Sequence, residues 1–277
     1  MLIALSLKAN PEDGRVRAWT DPTVSGCLLA GLALLALLVP VERRASLPIL
    51  PLRLFGNRTY SALLVSGFFF QLAAMPVGIL VPLYFQHGRG HSATTSGLLL
   101  LPLLIGMTLG NRLTSLAVLR TGQVKPALLL GATLLLIGTG GFLTLRDTTP
   151  YALTSVLLLS AGLGAGPAMG GLTIATQNAV PRADMGTATA SSALTKQIGG
   201  TFGLACAQSL LSRGDTLEPT ASVIGSTLAW SGALASLLAL AALLTVRDLS
   251  IVTPGSRRPT GQAPPGAAPP RQAPSVS

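Results

Sequence analysis

The amino-acid sequence predicts an all-α polytopic membrane protein with seven transmembrane helices. Three observations carry this. Only 10% of the 277 residues are charged, against about 25% in typical soluble domains. The mean hydropathy is +0.60. The apolar residues also gather in long runs rather than alternating, and a bilayer core about 30 Å thick takes about 20 apolar residues per helix. A net charge of +10 would suggest a nucleic-acid partner in a soluble chain. Here the basic residues sit almost wholly between runs, with no aromatic residues interleaved, so no nucleic-acid binding is expected.

Taken in order, residues 1–23 open with MLIALSLKAN, too short to span and without a signal-peptide cleavage site. They read as the remnant of a preceding helix and an outer loop. Residues 24–59 comprise a short first run, 24–40, and a basic connector, ERRASLPILPLRLFGNR. Six further runs, 60–85, 95–119, 126–145, 151–176, 186–211 and 222–246, make up the region 60–246. The loops between them are short, which predicts that sequence neighbours pack as antiparallel spatial neighbours. Residues 247–277 are rich in Pro, Gly and Ala with no hydrophobic face, the composition of a disordered tail.

The basic residues set the orientation. The N-terminal segment and the loops after runs two, four and six hold six Lys or Arg. The loops after runs one, three and five, with the tail, hold eleven. The richer side is expected in the cytosol, placing the chain in the plasma (inner) membrane with a cytosolic C-terminus. Trp19, Tyr60, Tyr84 and Tyr151 lie near run ends, where interfacial aromatics belong. Cys27 and Cys206 fall inside apolar runs and read as small hydrophobes.

Run five raises a question of its own. YALTSVLLLSAGLGAGPAMGGLTIAT contains no charge, yet glycines and a proline crowd its centre, and in water each Gly costs a helix about 1 kcal/mol and Pro about 3. A phosphate-binding loop fails on context, because Pro167 occupies the place of the third glycine and no strand precedes it. In a bilayer the same residues allow close backbone approach. Gly162, Gly166 and Gly170 recur at intervals of four, Gly171 follows, and Pro167 is tolerated where neighbours satisfy the freed carbonyl. Run six repeats the theme with Ala193, Gly200, Gly203 and Ala207, with Gly199 beside Gly200. Tight packing and a sliding or rocking contact are both open readings of these faces.

Polar residues inside the runs are candidates by default. Lys196 lies about 15 Å into run six and shares a face with Gly200 and Gly203. It either faces a cavity or bonds helix carbonyls and snorkels. Gln197 follows it. Arg112 lies about 12 Å from Arg120 and either snorkels or joins an inter-helix charge pair. Gln71 is a cavity donor or a helix tie, and Gln177 and Asn178 read as interfacial. His87 and His91 have a metal-compatible spacing but no third ligand, so no metal is expected, nor any cofactor. All nine acids fall in loops or tails. With no nucleophile–base pair, the chain is not expected to be an enzyme.

Three stretches carry a family resemblance. VPLYFQHGRGHSATTSGLLLLPLLIG resembles the join between the first two helices of the C-terminal bundle in major facilitator transporters. More narrowly, it resembles the fourteen-helix drug:proton antiporter group. ASSALTKQIGGTFGLA is similar to that group's penultimate-helix pattern, with Lys196-Gln197 where Arg-Gln is usual. AWTDPTVSG, with the helix and connector after it, is similar to the group's entry into its C-terminal half. Arg120, Gly122 and Lys125 fit the basic cytoplasmic loop motif, with Leu119 where better-preserved copies carry Asp. Gly162, Gly166, Pro167, Gly170 and Gly171 match the antiporter signature on a helix of the other half.

The resemblance implies one extra helix followed by a six-helix major-facilitator C-terminal bundle. It implies an efflux antiporter of small, amphipathic substrates with protons as coupling ion, whose membrane acid lies in a missing N-terminal bundle. The chain is then expected to be incomplete alone. It would be an inactive fragment, or a half-carrier needing that bundle or a second copy. A seven-helix receptor or scaffold is the alternative from another class.

Overall fold

The computed structural model describes residues 52–146, 148–211 and 221–246, together with Gly26, Leu29, Ala30, Gly31, Ala33 and Leu37, which are helical. Segment 1–23, most of the first run and its connector, and the tail lie outside the described residues. The described chain forms α1 (Arg58–Leu83), α2 (Ala93–Leu98), α3 (Leu101–Thr121), α4 (Lys125–Gly141), α5 (Tyr151–Asn178), α6 (Met185–Leu211) and α7 (Ala221–Thr245).

The helix ends follow local chemistry. Asn57 caps α1, its side-chain oxygen accepting from the backbone N–H of Thr59 at 3.0 Å and Tyr60 at 3.4 Å. A π-helical turn, Tyr84–Gly88, extends it, and the Ser92 hydroxyl accepts from Thr95 N at 3.2 Å to start α2. Prolines stand in the first turns of α3 and α4, where a missing N–H costs nothing. α3 ends at Gly122, whose φ of 67° is the left-handed cap that only glycine adopts freely.

Five segments are long and apolar enough to cross a membrane by length and composition: Arg58–Gly88, Ala93–Thr121, Lys125–Thr144, Tyr151–Asn178 and Ser222–Thr245. This is an all-α, polytopic membrane architecture. The sixth expected span forms α6, which at 27 residues has the length, about 40 Å. Its Thr, Ser, Lys and Gln make it more polar than the other five.

The prediction that sequence neighbours pair holds for α4 and α5 but not as a rule. The most extensive contacts join α3 to α5, α1 to α6 and α7, and α4 to α5 and α7. Glycines stand at the α3–α5, α1–α6, α4–α5 and α4–α7 contacts, so shared small faces rather than loop length account for these pairs. Polar residues inside the bundle are mostly satisfied within their own helix. The hydroxyls of Ser66, Thr139, Thr176 and Ser236 each donate to the carbonyl four residues earlier, which lets them be buried without a partner helix.

The two ends of the bundle are tied separately. At one, the Arg53 guanidinium donates to the Asp184 carboxylate, and Asn57 Nδ2 donates to Ala179 O at 2.9 Å. At the other, the Tyr84 hydroxyl donates to Arg146 O at 2.9 Å, and Arg89 donates to Thr149 O. The loops after runs one and five thus share one end, and those after runs two and four share the other, as the alternation of spans requires. Tyr60 and Tyr84 do lie at helix ends, but both are fully buried. They plug the bundle rather than line the lipid interface, while Tyr151 stays exposed.

Candidate functional site

α5 holds glycines in its middle because two helices press on it from different sides. A Cβ at Gly166 would stand 2.6 Å from both Asn111 N and Met107 O on α3. A Cβ at Gly162 would collide with Leu103 O, and one at Gly170 with Asn111 Oδ1. On α3, a Cβ at Gly106 would meet Leu163 N at 2.9 Å. The opposite side of α5 meets α4: a Cβ at Gly131 would stand 2.8 Å from Pro167 Cγ and 3.0 Å from Gly164 O. Gly171 lies between the two, against Thr114 of α3 at 2.7 Å. The expected face of Gly162, Gly166 and Gly170 is therefore the α3 contact. The α4 contact, through Gly131, Gly138 and Gly164, was hidden because its glycines are spread over two helices.

α6 crosses α1 on a second small-residue face. Cβ atoms at Gly199 and Gly203 would collide with the backbone carbonyls of Phe68 and Leu72. A Cβ at Gly200 would stand 2.9 Å from Gln71 Cγ, with Met75 Sδ also in the way. Lys196 lies one turn before Gly200 and is half-buried. Its stem lies over Gly67, where a Cβ would be 3.2 Å from Lys196 Cγ and 3.7 Å from Leu172. Its ammonium donates to the Thr173 hydroxyl of α5 at 3.4 Å, while Thr173 donates to Met169 O at 3.0 Å. One cation thus touches α1, α5 and α6. The bond is long, and the other ammonium protons have no side-chain acceptor among the described residues.

Gln71 and Lys196 thus fall on the same α1–α6 seam. Gln197 is exposed and points off it, beside exposed Ile198. Arg112 is exposed on α3 and does not join the cluster. Arg120, Gly122 and Lys125 gather at the α3–α4 turn, with Arg120 exposed. Gln177, at the end of α5, ties it to α6, its Nε2 donating to the Thr189 hydroxyl at 3.0 Å. The His91 ring lies 2.8 Å from the Tyr151 hydroxyl, and no group of three metal-ligating side chains occurs among the described residues.

Sequence reasoning missed two participants. Thr173 is one of many hydroxyls on apolar helices, and its pairing with Lys196 appears only in three dimensions. Asn111 stands next to Arg112, which drew attention by its charge. Its Oδ1 is buried against Gly170 and has no hydrogen-bond partner. Gly170 and Thr173 are one turn apart on α5, so Asn111 and Lys196 approach neighbouring points of the same helix. The polar candidates with an inward position are therefore Asn111, Thr173, Lys196 and Gln71.

Residues 15–204 match the family model described as Major Facilitator Superfamily. The chain is 34% identical over 208 residues to the Multidrug transporter protein MdtP of Bacillus subtilis, covering 74% of this chain and 37% of that protein. To the tetracycline resistance determinant of Streptomyces rimosus it is 30% identical, over 70% of this chain and 56% of that protein. To the methylenomycin A resistance protein of Streptomyces coelicolor it is 29% identical, over 73% and 42% respectively. The chain thus spans about a third to a half of the length of these relatives.

Proposed function

The chain belongs to the Major Facilitator Superfamily, and from that premise we propose that its region 60–246 serves as the C-terminal half of a multidrug-type exporter driven by proton antiport. Lys196, held on Thr173 where three helices meet, carries this reading. A cation at membrane depth is retained where it faces a cavity or substrate pathway. Carriers of this superfamily place substrate between two bundles, and α6 presents exposed Gln197, Ile198 and Phe202 beside Lys196, a surface suited to a facing bundle. The efflux and resistance names of the relatives support a small, amphipathic substrate.

In this reading Lys196 meets an anionic group of substrate or a carboxylate across the cavity. Gln71 and Asn111 supply hydrogen bonds, and the glycine seams let α5 and α6 shift against α3 and α1. Asp184 is the carboxylate among the described residues, and it is engaged by Arg53 in the turn before α6. In this reading the proton-coupling acid comes from the facing half. The protein works in the plasma membrane with its C-terminal tail in the cytosol.

A second reading is a half-carrier that pairs with a second copy of itself through the exposed Gln197, Ile198 and Phe202 face of α6. Reconstitution separates the two. The purified 277-residue chain in liposomes with an imposed proton gradient is expected to show no saturable efflux of a cationic dye or tetracycline. Adding an N-terminal bundle from a relative is expected to restore it. Saturable, gradient-dependent transport by the chain alone would reject the first reading in favour of self-pairing.

A further inference from the structure

The function proposed above leaves one cavity unused. α3 and α4 touch each other little, and between them lies a groove of about 340 Å³ floored by Leu163 and Pro167 of α5. That volume falls within the range of about 300–1,000 Å³ common to small-molecule sites. Leu113 and Leu130 form its opposite lips and are 58% and 65% exposed, so the groove opens sideways, toward the bilayer. Along α3 it runs from Gly110 to Thr121, about 16 Å by helical rise. That is the hydrocarbon depth of one leaflet, half of about 30 Å.

The chemistry changes along this length. The deep part is apolar, whereas Thr121 and Gln123 line the mouth at the α3–α4 turn. Arg120 is exposed at that mouth and stands three and seven residues after Ala117 and Leu113, on the stripe of α3 that forms the groove wall. A slot one leaflet deep, apolar inside, with an exposed arginine next to Thr121 at its mouth, fits an amphiphile with an acyl chain and an anionic head. Guanidinium binds phosphate oxygens in two parallel hydrogen bonds, and basic pockets between membrane helices take anionic headgroups.

We propose that the α3–α4 groove binds one anionic phospholipid, its acyl chain lying over Leu163 and Pro167 and its phosphate on Arg120. Neither Asn111 nor Lys196 is among the residues that line the site. It does not depend on the two-half reading, because its test involves no transport.

The test uses Leu130→Trp in the full chain with Trp19→Phe and Trp230→Phe, placed in phosphatidylcholine nanodiscs. A minor fraction of lipid carries brominated acyl chains, either as phosphatidylglycerol or as phosphatidylcholine. One basic residue at the surface enriches an anionic lipid about fivefold, so brominated phosphatidylglycerol should quench the introduced indole several-fold more strongly at equal fraction. Arg120→Gln should remove the difference while leaving quenching itself. Trp230, 69% exposed on α7, should show no headgroup preference when it is the sole tryptophan. Leu113→Trp repeats the measurement from the other lip, should Leu130→Trp fold poorly. Equal quenching by both lipids would reduce the groove to bulk lipid contact and overturn the proposal. So would an absence of quenching at both lips, or a preference that survives Arg120→Gln.

Discussion

Gly166→Ala is the sharpest perturbation of the α3–α5 seam. The added methyl would stand 2.6 Å from Asn111 N and Met107 O and 2.8 Å from Gly110 C. All three are backbone atoms, so no rotamer change relieves the contact. Bringing 2.6 Å up to the 3.0–3.4 Å that real Cβ atoms reach requires α3 to retreat by about 0.4–0.8 Å. A gap of 0.5–1 Å forfeits about a quarter to a half of the dispersion energy of each contact it opens. The seam has no solvent-driven term to compensate, because lipid is as apolar as the helices. Overpacking of this kind costs about 1–3 kcal/mol. Gly78→Ala on α1 is the control, since nothing lies within 4 Å of a Cβ there, and its better helix propensity favours it by up to about 1 kcal/mol. Equilibrium unfolding of the purified chain in mixed micelles, titrated with sodium dodecyl sulfate, measures both. Gly166→Ala should lower stability by about 1–3 kcal/mol, and Gly78→Ala should not lower it. Equal stability of the two variants would show that α3 does not rest on the glycine face, and the account of run five would fail.

The remaining predictions concern function and topology. In a reconstituted two-bundle exporter, Lys196→Arg should keep most of the efflux per surface molecule and Lys196→Leu should lose most of it, since only the first retains the cation. Normal transport by the Leu variant at equal abundance would make Lys196 a snorkelling residue. An impermeant thiol reagent applied to intact cells should label Ser92→Cys, at the exposed start of α2, and not Ser256→Cys in the tail. The reverse pattern would invert the orientation drawn from the basic residues.

Helix positions were legible because apolar run length and capping residues are local properties. The caps made by Asn57, Ser92 and Gly122 each reach no further than four residues along the chain. Helix partners were legible only in part. The spacing of Gly162, Gly166 and Gly170 announces a flat face but not which helix occupies it. The α4 side of α5 depends on Gly131 and Gly138, about thirty residues away, meeting Gly164 and Ala161. The inward direction of Lys196 followed from Gly200 and Gly203 on its own helix. Thr173 and Asn111 escaped because an uncharged polar residue in a run carries no sign of whether its own backbone satisfies it. The burial of Tyr60 and Tyr84 escaped for a related reason: aromatic position along a helix is sequence, whereas the direction the ring faces is packing.

The pairing order of the helices has a consequence for how such a bundle is made. Synthesis delivers α3 before α5, and α1 well before α6 and α7, yet these are the pairs that hold each other. Among the described helices, only α5 locks to its immediate predecessor, α4. Until α5 emerges, the notch at Gly106 and Gly110 faces lipid with nothing seated in it, and α1 waits longer still. Assembly therefore proceeds by late arrivals closing early helices, and a chain stopped after about residue 146 holds three of the described spans without their principal mates. Loss of α7 would undo α1 and α4 together, which makes it the clasp of the bundle despite its plain sequence.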